Sequence, residues 1–224
     1  MKLQEFHSEK ELEKLVKELG FLPFFRNEIA GFSVEDCCPK ELWFSHDREG
    51  PWEWKGPVIR GTGCAYGKFY AGKACFIDAR FFGDFLNYRR DGYDYDARRD
   101  DGLSRTRDHR IMEILSSRDS LISKELKFLA CPGEESRKTF ESSLTFLQMQ
   151  TYVLTSDFQY MTDKNGKKYG WGVARYATPE AFFGADTVAD AYRKEPAESR
   201  ERLLTVLRPL LSDASENQIL RFLG

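Results

Sequence analysis

No dipeptide reverses a chain more tightly than Asn-Gly, because both residues tolerate positive φ, and Asn165-Gly166 sits between two runs rich in apolar and aromatic residues. These runs are Phe158 to Met161 and Tyr169 to Tyr176, joined by residues 162–168. The arrangement predicts a β-hairpin turning at 165–166. Three amphipathic stretches precede it. Asp108 to Ser116 places Ile111, Ile114 and Leu115 on one helical face, and Ser120 to Leu129 does the same with Leu121, Leu126 and Leu129 before Cys131-Pro132-Gly133 stops it. A third helix is expected from near Glu134, with Phe140, Leu144, Leu147, Thr151 and Leu154 on one stripe. Three helices between about residues 108 and 155 and then a hairpin make a winged helix-turn-helix.

The first half is less regular. Ser8 with Glu11 is a capping-box pattern that opens a helix over Ser8 to Leu19, closed by Gly20. From Phe21 to Gly63 the Pro and Gly punctuation reads as irregular chain, with Ser33 capping a short turn and Trp52 and Trp54 clamping a loop onto the core. Cys64 to Tyr70 and Ala74 to Asp78 form a second hairpin around Ala71-Gly72-Lys73, and helical spacing follows from Phe81 to Tyr88. Helix, turn and hairpin repeat the plan of the second half in outline, which leaves tandem winged helices open. Beyond Thr178-Pro179-Glu180 the tail reads as helical over 185–194, 197–211 and 215–223. The expected fold is thus α+β, mainly helical with short β-hairpins. Its division is either an N-terminal helix-and-hairpin region (1–103) with a winged-helix domain and C-terminal helices (104–224), or one compact unit.

Charge limits the function. Lys plus Arg number 34 against 36 Asp plus Glu, a balance of 34 − 36 = −2, too even for nucleic-acid binding by bulk charge. A hydrophobic content of 41% supports a packed core and excludes general disorder. The start MKLQEFHSEKELEK has no apolar leader core, and no run approaches the roughly 18 apolar residues of a spanning helix, so a cytoplasmic protein without membrane contact is expected. The five cysteines, at 37, 38, 64, 75 and 131, show no CxxC spacing and read as free thiols; His7, His46 and His109 lie far apart, so neither metal nor cofactor is expected. Basic residues do gather locally. Arg137 and Lys138 open the third helix and Lys164, Lys167 and Lys168 crowd the hairpin tip, where they are candidate contacts to the phosphates of double-stranded DNA or ordinary solubilising charge. Residues 87–110 hold seven Arg and six Asp interleaved with tyrosines, which reads either as a phosphate-contacting loop or as an Arg–Asp network tying that loop down.

Several segments resemble the AlkZ-related proteins, short relatives of the AlkZ/YcaQ-type winged-helix DNA glycosylases: Phe24 to Asn27, Gly31 to Ser33, Pro51 to Pro57, Asn87 to Tyr93, Leu147 to Tyr152 and Tyr169 to Gly172. The glycosylases carry a catalytic Gln, an apolar residue and a second Gln, matched here by Gln148-Met149-Gln150. The resemblance implies Gln148 and Gln150 as catalytic residues that hold a water and stabilise an oxocarbenium-like sugar while a cationic N-alkylated base departs. A cationic base is already a good leaving group, so neutral amides suffice. Two other readings stand beside this one: a winged helix that binds DNA without cutting it, and a scaffold for protein contacts.

Overall fold

The computed structural model describes residues 3–45, 48–162, 164–165 and 168–224, with backbone alone at 135, 162 and 168–171. The chain is α+β, mostly helical, with two small antiparallel sheets. Its first part runs α1 (Glu9–Leu19), β1 (Phe21–Pro23), α2 (Val34–Cys37), α3 (Lys40–Trp43), α4 (Pro51–Thr62), β2 (Ala65–Tyr70) and β3 (Lys73–Ile77). Two connecting helices follow, α5 (Ala79–Arg90) and α6 (Tyr95–Asp100). The second part runs α7 (Thr106–Ser116), β4 (Leu121–Ile122), α8 (Ser123–Ala130), α9 (Glu134–Met149), β5 (Leu154–Thr162) and β6 (Lys168–Ala177). The tail is α10 (Pro179–Phe183), α11 (Ala185–Ala191), α12 (Pro196–Leu210) and α13 (Glu216–Leu223).

Both parts share one plan. Each has a helix, a short strand, further helices and a hairpin, and in each the short strand pairs with the hairpin's second strand, giving sheet orders β1-β3-β2 and β4-β6-β5. They also dock on each other reciprocally. Helix α4 packs on β5, α9 packs on β2, and β2 lies against β5, where the Tyr66 and Phe158 rings meet at 5.8 Å. The tail returns to the first part: Leu203, Leu204, Leu207 and Phe222 share a core with Phe21, Phe32 and Phe85. A buried polar seam fixes α12 on α5, since Asn87 donates to Ser199 Oγ at 2.9 Å and Asp84 accepts from Lys194 at 2.9 Å.

Local signals explain much of this. Ser8 accepts from the Glu11 N–H, and Gly20 ends α1 at φ 75° in the left-handed region, as the capping pattern predicts. The first hairpin turns at 71–72, and the second joins β5 to β6 between Thr162 and Lys168; Gly166 of the expected Asn165-Gly166 turn lies outside the described residues. Two expectations are corrected. Helix α9 stops at Met149, short of the predicted stripe through Thr151 and Leu154, because Thr151 takes φ 61° and the Thr151 and Tyr152 N–H groups fold back onto the Gln148 and Leu147 carbonyls. This closure normally uses glycine. The stretch Pro51 to Thr62 is a helix and not a loop. Pro51 occupies its first position, where the missing N–H costs nothing. Pro57 should break it, because the Glu53 carbonyl loses its helical donor. The Tyr160 hydroxyl, 107 residues further along the chain, lies 3.3 Å from that carbonyl and 3.2 Å from the Trp52 carbonyl. The second hairpin therefore supplies the donor that proline cannot. Gly56 lets β5 come close, since a Cβ there would lie 2.9 Å from Asp157 Oδ1.

Tyr160→Phe should accordingly cost about 1–2 kcal/mol by leaving the Glu53 carbonyl unpaired. In a Pro57→Ala background, where residue 57 regains its N–H, the same change should cost clearly less. A denaturant-unfolding cycle over the four proteins measures this coupling, and purely additive losses would contradict it.

Candidate nucleic-acid interface and the glutamine motif

The two glutamines flank the abrupt end of α9. At roughly 100° per residue, side chains two apart on a helix point to nearly opposite sides. Gln148 is the inward one, with 1% of its surface exposed. Its carbonyl oxygen accepts from the Lys68 backbone N–H of β2 at 3.1 Å, and its amide donates to the Leu144 carbonyl at 3.4 Å. Lys68 reinforces the contact by donating to Thr145 Oγ1 at 2.9 Å. The oxygen that would hold a water in glycosidic-bond cleavage is thus engaged in joining α9 to β2. Gln150 follows the last helical residue as its C-cap, half-buried, with its N–H on the Phe146 carbonyl at 2.9 Å and no side-chain hydrogen bond to a described residue.

Beneath the same helix end lie two arginines. Arg90, fully buried, donates to the Thr151 carbonyl at 2.8 Å, to Glu180 Oε1 at 2.8 Å and to the Tyr192 hydroxyl at 2.5 Å, while its guanidinium covers the Tyr152 ring at 4.4 Å. Arg89 donates to the Met149, Phe69 and Phe222 carbonyls at 3.2, 3.0 and 3.2 Å, and burial lowers its pKa to about 10. Cations at a helix C-terminus stabilise its unpaired carbonyls. These two arginines are therefore committed to the protein interior. Arg99 and Arg105 pair with nearby aspartates, so for these two residues of the 87–110 stretch the Arg–Asp network is the better description, whereas Arg110 makes an exposed pair with Glu113. Arg107 makes no ion pair with a described residue.

Two of the basic residues anticipated at a DNA surface lie away from the glutamines. Arg137 and Lys138 are exposed near the start of α9, about 16 Å from Gln148 along the axis at 1.5 Å per residue. Lys164 is exposed at the hairpin tip, Lys167 lies outside the described residues, and Lys168 is described only as backbone in β6. The exposed face of α9 is mixed in charge, because Glu134 and Glu141 share it, Glu141 paired with Lys127 at 3.4 Å.

Sequence reasoning missed Lys55. Its ammonium lies 4.4 Å from the Phe158 ring centre, 4.8 Å from Trp52 and 5.5 Å from Phe24, and burial lowers its pKa to about 8. Trp52 close to Lys55 in sequence was the available signal, but the other two rings come from Phe24 and from Phe158 on β5. All five cysteines are free and buried, and burial pushes the Cys37, Cys38, Cys64 and Cys75 thiols up, so none of these four is a ready nucleophile. Among the described residues no three His, Cys, Asp or Glu side chains converge as a metal site requires, and no helix is long and apolar enough to cross a membrane.

No protein of curated function and no solved structure matches the chain. A family model described as AlkZ related matches residues 6–224, nearly its whole length, and the chain therefore belongs to the AlkZ-related family.

Proposed function

We propose that this protein is a winged-helix binder of double-stranded DNA that does not excise a base. In this reading residues 106–177 form one winged helix with α9 as its recognition helix, residues 9–77 form a second, and the shared cores make the chain one compact unit. The observation that carries it is the sheet order β4-β6-β5 behind the helix pair α8 and α9, because a winged helix needs a short strand ahead of its second helix to pair with the hairpin's return strand. Membership of the AlkZ-related family supports a relation to AlkZ-like DNA-repair proteins. Arg137, Lys138, Lys164, Lys167 and Lys168 are the proposed phosphate contacts, and Gln150 is a separate polar contact at the far end of α9. Gln148 is assigned to structure, since its carbonyl already accepts from Lys68 and its side chain is closed to solvent.

Fluorescence anisotropy with a labelled duplex at rising salt tests this. Affinity should fall steeply with salt, and changing Lys164, Lys167 and Lys168 together to Ala should flatten the log–log slope by up to about one unit per lost phosphate contact. An N-alkylated duplex should bind and keep its base. Absence of binding at low salt would overturn the proposal, and base release abolished by Gln150→Ala would establish excision in its place.

A further inference from the structure

The first turns of α7 and α9 open into one groove of about 670 Å³, within the usual range of small-molecule sites. It lies between these helices and the α8–α9 connection, and most of its wall is apolar, with Ile111, Ala130 and Phe140 among the lining residues. Neither N-cap residue, Arg105 for α7 or Gly133 for α9, caps its helix with a side chain, although Ser136 Oγ accepts from the Gly133 N–H at 3.3 Å. Arg107 and Arg110 line it from α7, and among the described residues no carboxylate does. Arg110 is held only by an exposed pair with Glu113 at 2.9 Å, and such pairs are weak.

An independent observation comes from Ser143. It lines the groove, only 1% exposed, and its hydroxyl has no hydrogen-bond partner. The groove's other small polar side chains on α9 are engaged: Ser136 Oγ donates to the Gly133 carbonyl at 2.8 Å and Thr139 Oγ1 to the Ser136 carbonyl at 3.4 Å. A buried hydroxyl without a partner calls for one from outside the protein.

We infer that this groove binds a nucleotide, with the phosphate on Arg107 and Arg110, the base against the apolar wall and a polar atom of the base on Ser143. Three features select that class. Two guanidinium groups beside helix N-termini favour phosphate. The apolar wall favours a flat ring over a sugar alone. The hydroxyl requires a hydrogen-bonding edge at the buried end, which excludes a fatty acid. The site lies at the opposite end of α9 from the glutamine motif, and the inference does not depend on duplex binding.

Titration calorimetry of the full chain with the four deoxynucleoside monophosphates tests it, with a duplex carrying one unpaired nucleotide as a second arm. At least one probe should bind. Arg107→Ala with Arg110→Ala should weaken it tenfold or more, and Ser143→Ala should weaken it several-fold, while far-ultraviolet circular dichroism stays unchanged. Removing the phosphate from the probe should abolish the arginine effect and leave the Ser143 effect. Binding by the free monophosphate assigns the groove to a diffusible nucleotide, and Ser143-dependent binding by the bulged duplex alone assigns it to an extruded one. No binding in either arm, or binding indifferent to the arginine and Ser143 changes, overturns the inference. The arginine pair is exposed, so its variant remains informative even if Ser143→Ala fails to fold.

Discussion

Replacing Arg90 with Met should lower stability by about 2–4 kcal/mol, the cost of removing a fully buried hub and leaving its hydrogen-bond partners unpaired. For a chain of this length that corresponds to a fall in Tm of roughly 10 °C. The change leaves the Glu180 carboxylate, the Thr151 carbonyl and the Tyr192 hydroxyl without the group that joins them. Arg90→Lys should rescue little, because one compact ammonium cannot reach three acceptors set out for a planar fork. Amide hydrogen exchange at Thr151 and Tyr152 should speed up more than in α1, since the left-handed turn that ends α9 depends on this arginine. A loss below 1 kcal/mol would mean that the turn holds without it.

Phe24→Ala should cost about 3–5 kcal/mol. Phe24 is fully buried, with its ring centre 5.2 Å from Trp43, 5.3 Å from Trp52 and 5.2 Å from Phe25. It also carries a titration signature. Lys55 in the native protein titrates near 8 against an ordinary 10.5. Between those values the unfolded chain binds the extra proton, so this residue makes the native protein more stable as pH rises from 8 to 10.5. Opening the cage should return the Lys55 pKa toward 10.5 and flatten that rise. Denaturant midpoints of both proteins across this range measure the difference, and an unchanged slope would show that Phe24 does not desolvate the ammonium.

Residues whose structure depends on close neighbours were readable from sequence. Ser8, Gly20, the 71–72 turn and the alternating aromatics of β5 and β6 all act within a few positions of themselves. Residues whose partners lie far along the chain were not. Helix α4 looked like a loop because Tyr160 makes its proline tolerable. Helix α9 looked longer because nothing near Thr151 announces the arginine that donates to its carbonyl. For Arg89 and Arg90 the sequence left phosphate contact and a local Asp network open, because their acceptors, backbone carbonyls together with Glu180 and Tyr192, lie far along the chain. Gln148 and Gln150 could be picked out together as a motif, but their division into an engaged and an unengaged side chain rests on Lys68 in the other half. The nucleotide groove escaped notice for the same reason, since its walls come from separate helices.

The reciprocal docking of α4 on β5 and of α9 on β2 has the form of contact by which identical subunits pair about a two-fold axis, each offering the same patch to the other. Here both partners share one backbone. Dilution cannot separate them, because the linker through α5 and α6 fixes their effective concentration. The two halves are not identical and contribute differently: one strand supplies the Lys68 N–H to a glutamine, whereas its counterpart supplies the Tyr160 hydroxyl to a helix that contains a proline. Severing the chain between α6 and α7 would turn the intramolecular contact into an ordinary bimolecular one, and the two fragments would then have to find each other to fold.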